Sequence, residues 1–456
     1  MFAAVLALLT LAQLATGAVA LRGLHFSPRV NFVHCAWAVP LLVLANALLW
    51  ALTLVALAML PLAIPAAALL DGFALIRVLF NPQSGSSRDA HARDRKKTLD
   101  RMRRHGAAAT EVALPSLGGA TAHCVWVEHK AASSRPTPSA RRRRSRSPSA
   151  RGAAVAAPSA ESGPRAALLI GGNCEVSDDM LDTAEMLYGL GFNVLVVTRS
   201  GYPDPAEDFG AATNEGWLAS LRRMARHSPT DASMAADAQA ALAWLTSSTE
   251  HGHPVYDPSR VVALGQSMGT YAVHALGAST PELAAVIADE PYASAPRVAT
   301  TMACNIGGQI AWPLPRSLVV RLLWPPLALL VHIVVRLGFR LWREPLDNLS
   351  AAARIQGGYC VVAKSHDELM AYAHEQGGNM PHTPSAPFGG NAADALLAAY
   401  EAQQCGPSMR LELTAPGPQK GSSNYGCPPG HGASFDWPEH QEAKEALCTF
   451  LEAVCG

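Results

Sequence analysis

The residues with the clearest chemical potential lie in the pentapeptide GQSMG at positions 265–269. A short apolar run at 261–264, led by β-branched residues, precedes the pentapeptide and predicts a buried strand. The run at 270–276 follows it and predicts a helix. A serine on a sharp turn between a strand and a helix is held out for attack on a carbonyl carbon. The pattern therefore predicts that Ser267 is a nucleophile.

The neighbours of the serine suit the same chemistry. Gly265 and Gly269 are predicted elbow glycines, because side chains at these positions would clash with the adjoining strand and helix. The turn directs the backbone N–H of Met268 toward the oxygen of a bound ester, where it would stabilise an oxyanion. A second donor is expected after the strand at 166–170, where two glycines are followed by Asn173. We predict that the Asn173 N–H completes the oxyanion hole.

A serine nucleophile needs a base and an acid, and both should follow strands of the same sheet. Asp367 follows the predicted strand at 359–363 and is the predicted acid, with Asp289, after the strand at 284–288, as the alternative. His431 lies between two glycines on a loop before the last helix and is the predicted base. The chain order Ser267, Asp367, His431 is one of the known orders of a catalytic triad. This chemistry requires no metal and no cofactor.

The elements that must position these residues alternate along the chain from position 165. Strands are predicted at 166–170, 193–198, 261–264, 284–288, 359–363 and 409–413, after two earlier ones at 110–115 and 120–129. Helices are predicted at 178–190, 231–246, 270–276 and 437–454. Alternation of this kind predicts an α/β fold with a mostly parallel sheet covered by helices on both faces.

These residues and their order resemble the α/β-hydrolase superfamily. The segments AAVIADEPYAS at 284–294 and AKSHDELM at 363–370 look most like the membrane-anchored serine hydrolases of the abhydrolase-domain type, some of which are monoacylglycerol or lysophospholipid lipases. Gly171 stands where that group usually has histidine, and Ala363 stands where it usually has glycine. The resemblance implies ester hydrolysis through an acyl-enzyme. An acyltransferase, a thioesterase or a non-catalytic scaffold with the same fold are the alternatives.

The first part of the chain predicts a membrane anchor of one to three hydrophobic segments, with a signal peptide as the alternative for residues 1–20. Residues 1–80 are mostly apolar, and the stretch 35–70 has no charged residue, which exceeds the roughly 20 residues that one span needs. Residues 81–109 form a basic juxtamembrane linker, which predicts that the following domain is cytoplasmic. The expected partners are a lipid bilayer and an acyl-ester substrate.

The predicted hydrolase domain, 110–456, contains two unusual segments. Residues 131–164 are rich in Ser, Pro, Ala and Arg, and are predicted to be a disordered insertion. Residues 295–350 include a run of Leu, Val, Ile and Trp with spaced arginines, and are predicted to form a lid that contacts lipid. A lid packed on the protein's own core and a third membrane span are the alternatives. A nucleic-acid role for the arginine run 141–144 is the less favoured alternative, given the predicted membrane anchor. The nine cysteines include no C-x-x-C pair, so neither a zinc site nor a disulfide framework is predicted.

Overall fold

The structure, a computed structural model of the chain, describes residues 88–104, 106–129, 164–172, 177–200, 231–247, 254–294, 347–364, 392–413, 435 and 438–456. The predicted anchor at 1–80 and most of the predicted disordered insertion and lid lie outside these residues. Within the described part, no helix has both the length and the apolar composition that a membrane span requires.

Strands and helices alternate along the described residues, beginning with a helix. The strands are β1 (Ala107–Pro115), β2 (Thr121–His129), β3 (Arg165–Ile170), β4 (Phe192–Thr198), β5 (Val261–Gln266), β6 (Ala285–Asp289), β7 (Gly358–Lys364) and β8 (Ser408–Leu413). The helices are α1 (Arg88–Arg104), α2 (Leu181–Gly189), α3 (Asp231–Thr246), α4 (Gly269–Ser279), α5 (Asn348–Ala352), α6 (Ala392–Glu401) and α7 (Gln441–Cys455).

The strands form one eight-stranded sheet in the order β1-β2-β4-β3-β5-β6-β7-β8. β2 runs antiparallel to both β1 and β4, whereas the pairs from β4 through β8 are parallel. The predicted α/β fold with a mostly parallel sheet is therefore confirmed. Because parallel neighbours share one direction, the residues that follow β3 to β7 lie along the same edge of the sheet.

Both faces of the sheet are buried, and the side chains alternate between them. Leu168 of β3 and Ala263 of β5 belong to the core under α3, α4 and α6, while the adjacent Leu169 and Val262 belong to the core under α1, α2 and α7. Period-two alternation between two apolar layers explains why the parallel strands read as continuous apolar runs in the sequence.

The helix predicted at 178–190 begins later than expected. The sequence predicts Ser177 as the N-cap of this helix, but Ser177 lies in a 3-10 turn, Ser177–Met180, and the α-helix starts at Leu181, so that prediction is wrong. The Ser177 backbone N–H instead donates a hydrogen bond to Thr198 Oγ1 over 2.7 Å. At the other end, the sequence predicts that Gly191 closes the helix, and this is confirmed, because Gly191 has φ 86 and its N–H donates to the Tyr188 carbonyl.

The basic segment after the predicted anchor contains α1, and this helix packs on the domain. Leu99 and Met102 are buried in the core of one sheet face. Arg101 lies within 2.8 Å of Asp182 and 2.5 Å of Glu185, both on α2. Apolar burial and these ion pairs together hold α1 against α2.

A buried histidine links the helix after β5 to β7. His274 Nδ1 lies 2.5 Å from the Thr270 carbonyl oxygen, and Nε2 lies 2.7 Å from the Tyr359 hydroxyl. Since a carbonyl only accepts, Nδ1 carries the proton and Nε2 accepts from Tyr359. Burial lowers the pKa of His274 to about 4 from its ordinary value of 6.5, so the ring is neutral at pH 7.

This depressed pKa makes stability depend on pH. The unfolded chain binds the His274 proton below about pH 6.5, whereas the folded chain binds it only below about pH 4. The stabilisation that comes from keeping His274 neutral is complete above the unfolded pKa of about 6.5. It is lost as the pH falls from there toward the folded pKa of about 4. We expect the free energy of unfolding to drop by about 2 kcal/mol more in the wild type than in His274→Gln between about pH 7.5 and about pH 5. Urea unfolding of the full chain at both pH values measures the difference, and equal drops would contradict it.

Candidate active site

Ser267 lies on the turn between β5 and α4 with a left-handed backbone conformation. Its φ is 50, a value that non-glycine residues seldom adopt and that is common at functional sites. The Ser267 N–H donates a hydrogen bond to the Asp289 backbone carbonyl over 2.8 Å, which continues the pairing of β5 with β6. The side chain is 8% exposed. The strand, the turn and the helix that the sequence predicts are all present.

Close packing explains the two elbow glycines. A Cβ atom on Gly265 would lie 2.5 Å from the carbonyl oxygen of Gly269. A Cβ atom on Gly269 would lie 2.5 Å from the carbonyl oxygen of Gly171 and would also clash with that of Ile170. The elbow therefore touches the backbone at the end of β3, which is the segment that leads to Asn173.

Met268 begins the turn of helix that follows the serine. Its side chain is buried, and its backbone lies at the N-terminus of α4. The first amide groups of a helix have no carbonyl partner within that helix, and the helix dipole favours negative charge at this end. The N-terminus of α4 is thus suited to hold an oxyanion that forms beside Ser267.

Side-chain hydrogen bonds hold the backbone of the elbow in place. The Thr270 hydroxyl donates to the Ser267 carbonyl oxygen over 2.6 Å. Asn348 Nδ2 donates to Thr270 Oγ1 over 3.2 Å and to the Tyr292 carbonyl over 2.8 Å. A role for Asn348 was not predictable from its place in the sequence. The sequence feature that could have indicated this role is the Asp-Asn pair at the start of a short helix. The same pair is common where an aspartate caps a helix, so it does not point to a functional site.

A cluster of buried charges occupies the carboxyl ends of β6 and β7. Lys364 Nζ lies 3.4 Å from an Asp289 carboxylate oxygen and 3.1 Å from Glu290 Oε1. Glu290 is fully buried and has φ 54, and its N–H donates to the Val362 carbonyl over 3.0 Å. The sequence contained only a weak signal for this cluster, namely charged residues directly after apolar strands. Asp289, the alternative acid, is therefore ion-paired to Lys364.

The end of β4 is held by buried polar groups. The backbone N–H and the hydroxyl of Ser200 donate to Asp237 Oδ2 over 2.7 and 3.0 Å, and the Ser116 hydroxyl donates to the other carboxylate oxygen. Burial raises the pKa of Asp237, while these hydrogen bonds and the nearby charge of Arg199 oppose the rise. Arg199 is buried and its guanidinium donates to the carbonyl oxygen of Gly172.

The described candidates meet at one edge of the sheet. Ser267, Met268 and the two elbow glycines follow or end β5, and Asp289 ends the adjacent β6. Asn173, Asp367 and His431 lie outside the described residues. Their strands are in place, since Gly172 after β3 directly precedes Asn173, and Asp367 comes three residues after the end of β7. The mostly parallel sheet with an elbow after β5 is consistent with the α/β-hydrolase fold.

Comparisons with known proteins found similar structures only. No family model and no curated protein matches the chain. An esterase of Pyrococcus furiosus has 11% sequence identity and a TM-score of 0.42, covering 78% of this chain and 95% of its own. A dienelactone hydrolase-like promiscuous phosphotriesterase from metagenomic libraries has 15% sequence identity and a TM-score of 0.40. The match covers 77% of this chain and 100% of that protein. Acetyl xylan esterase 1 from Thermoanaerobacterium sp. JW/SL YS485 has 15% sequence identity and a TM-score of 0.38. The match covers 84% of this chain and 98% of that protein. Similarity at this level assigns no family to the chain.

Proposed function

We propose that this chain is a serine hydrolase that cleaves acyl esters through a covalent acyl-enzyme. The observation that carries the proposal is the backbone of Ser267, which has a positive φ and lies between β5 and the N-terminus of α4. A strained serine at the carboxyl edge of a parallel sheet, with helix amides beside it, is suited to attack a carbonyl and to stabilise the resulting charge.

The proposed reaction has two halves. Ser267 Oγ attacks the ester carbonyl while His431 takes its proton, and the amide groups of Met268 and Asn173 hold the tetrahedral oxyanion. The carbonyl re-forms as the bond to the leaving alkoxy group breaks, and His431 gives that group the proton. Water then attacks the acyl-enzyme in the same manner and releases the carboxylic acid. Asp367 orients His431 and stabilises its charged form.

The charge cluster at the ends of β6 and β7 supports Asp367 over Asp289 as the acid. A triad acid works by accepting a hydrogen bond from the histidine and by balancing the imidazolium charge. The ammonium of Lys364, 3.4 Å from the Asp289 carboxylate, already balances that charge. Asp367, which comes three residues after the end of the next strand, is therefore the acid that we propose for His431.

We further propose a lipid ester as the substrate and a membrane anchor as the reason for that preference. Residues 1–80 have the composition of one to three hydrophobic segments, and residues 295–350 have the apolar and arginine pattern of a lipid-contacting lid. The basic residues after the anchor favour a catalytic domain on the cytoplasmic side. A chain held at the bilayer would meet acylglycerols or lysolipids at high local concentration.

Reaction of the full chain in lipid vesicles with a fluorophosphonate probe tests the proposal, with peptide mapping of the adduct. An adduct on Ser267, together with hydrolysis of long-chain acylglycerols or lysolipids, would support both parts. An adduct with hydrolysis of short soluble esters alone would leave a serine hydrolase but remove the lipid substrate. Transfer of the acyl group to an added alcohol in preference to water would indicate an acyltransferase. A folded chain that forms no adduct would overturn the proposal in favour of a scaffold.

A further inference from the structure

A buried lysine at the end of β7 lies between two carboxylates at the end of β6. Lys364 Nζ is 3.1 Å from Glu290 Oε1 and 3.4 Å from the Asp289 carboxylate. The side chains of Lys364 and Glu290 are at most 1% exposed, against 13% for Asp289, so the lysine and Glu290 form the inner pair. A buried ion pair is often no more stabilising than apolar side chains of similar volume, because both charges lose their hydration. Fold stability alone is therefore a weak reason for keeping this pair.

The peptide that joins Asp289 to Glu290 links the ion pair to the serine. Its carbonyl oxygen accepts a hydrogen bond from the Ser267 N–H over 2.8 Å, and its own N–H donates to the Val362 carbonyl over 3.0 Å. Both groups belong to one rigid plane. The orientation of this single peptide therefore determines where the Ser267 amide lies, and it couples the elbow after β5 to β7.

Glu290 has an unusual backbone next to that peptide. Its φ is 54, a value that is sparsely populated for residues with a side chain and persists only where the surroundings hold it. The bond about which φ rotates joins the shared peptide to the Cα that carries the Glu290 side chain. Because Lys364 holds the carboxylate of that side chain, the ion pair opposes a rotation that would turn the peptide. Ser267, with φ 50, is hydrogen-bonded to the same peptide.

We propose that Lys364 and Glu290 are positioning residues for the nucleophile. Their ion pair fixes the peptide between Asp289 and Glu290, and this peptide holds the Ser267 N–H so that the serine keeps its left-handed conformation. The inference rests on the proposed function, because a serine that attacks no carbonyl would gain nothing from a fixed amide. The role requires no contact of either side chain with the substrate, since the effect passes through one peptide and one hydrogen bond.

The test replaces the inner pair by Lys364→Met/Glu290→Met in the full chain. Methionine nearly preserves both side-chain volumes. Removal of the cation together with one of the two carboxylates also leaves the formal charge of the cluster unchanged. The matched control is Arg101→Met/Glu185→Met, which removes the same kind of pair from α1 and α2, where Asp182 is the second carboxylate.

The double variant should lose activity without losing stability. Its melting temperature should stay near the wild-type value or rise, because apolar side chains replace buried charges. The Ser267 amide hydrogen, resolved by mass spectrometry with fragmentation, should exchange roughly tenfold faster, because its acceptor is held less firmly. For a short soluble ester, kcat per serine that reacts with the fluorophosphonate should fall roughly 30-fold, below the loss of about 10²-fold that a 1 Å misplacement causes. KM should stay within about twofold of the wild type. The control should leave the exchange rate and kcat unchanged.

The pH dependence of kcat separates position from charge. Because the double variant keeps the formal charge of the cluster, the pH at which kcat is half-maximal should not move. A loss in kcat with a shift of that midpoint would mean that the pair acts on the base through its electric field, and would overturn the inference. If the double variant does not fold, Glu290→Gln, which keeps the volume and leaves Lys364 beside Asp289, decides by the exchange rate and kcat.

Failure of the inference differs from failure of the proposed function. A folded variant with wild-type kcat would overturn the inference, whether or not exchange at Ser267 became faster. The proposed function would still stand if the wild type reacts with the fluorophosphonate at Ser267. A wild type that does not react there would overturn the proposed function and with it the catalytic role of the pair, even where the exchange rate showed that the pair holds the turn.

Discussion

Asp367→Asn is expected to lower kcat/KM by about 10⁴-fold, because an asparagine there would hold the histidine in the wrong tautomer. Asp289→Asn, the matched change at the neighbouring strand, is expected to leave kcat/KM per reactive serine within about tenfold of the wild type. The Asp289 carboxylate pairs with Lys364. Its loss therefore alters a buried ion cluster and leaves the proposed proton transfer from Ser267 to His431 in place. Hydrolysis of a short soluble ester by the full chain, normalised by fluorophosphonate titration, measures both values.

The cluster of Lys364, Asp289 and Glu290 gives a reason to expect that the Asp289→Asn variant folds. Asp289→Asn still leaves Glu290, 3.1 Å from Lys364 Nζ, to balance the lysine. Its melting temperature should therefore fall only modestly, and thermal unfolding verifies that the variant is folded during the assay. A 10⁴-fold loss in Asp289→Asn with near wild-type activity in Asp367→Asn would reverse the assignment of the acid.

Gly269→Ala is expected to damage both stability and activity. The added methyl group would lie 2.5 Å from the Gly171 oxygen and would also overlap the Ile170 oxygen, and both are backbone atoms that cannot rotate away. Overpacking of this kind costs about 3 kcal/mol. The remaining strain would separate the elbow from the loop after β3, and a shift of about 1 Å between these groups would lower kcat by about 10²-fold.

Gly189→Ala is the matched control for this change. Gly189 ends α2, and a Cβ atom there would meet nothing within 4 Å. Because alanine favours a helix over glycine, this variant should be as stable as the wild type or more stable by up to about 1 kcal/mol. Thermal unfolding and ester hydrolysis of both variants test the pair. Wild-type stability in Gly269→Ala would show that the elbow and the β3 loop have room to separate.

The sheet was predictable because its strands are buried on both faces. Runs such as that at 261–264 are apolar at every position, which distinguishes them from the surrounding polar segments. The structure extends them at their ends, for example to Gln266 in β5 and to Lys364 in β7, since strands continue while a neighbour supplies hydrogen bonds. Each predicted strand ended where its apolar run ended, at Leu264 and at Ala363, but backbone pairing does not depend on an apolar side chain.

The buried charges were not predictable. Lys364 pairs with Asp289 across 75 positions of sequence, and Arg199 reaches the Gly172 carbonyl across 27. Local composition places lysine and arginine at the surface, and only the assembled sheet brings their partners within reach. α6 was also missed, because the Gly- and Asn-rich stretch before position 392 obscured its start. The elbow was predictable for the opposite reason, since its turn depends on five consecutive residues.

The short bridge between Ser294 and Asp347 has a consequence for how this protein can change. The chain leaves the sheet after Ser294 and returns at Asp347, and Asn348 N–H donates to the Ala293 carbonyl over 3.0 Å at the same place. With both ends fixed side by side, doubling the intervening length adds only about 0.6 kcal/mol of closure entropy. The number of positions between Ser294 and Asp347, which is 52 in this chain, can therefore change at little cost in closure entropy while β6 and β7 keep their register.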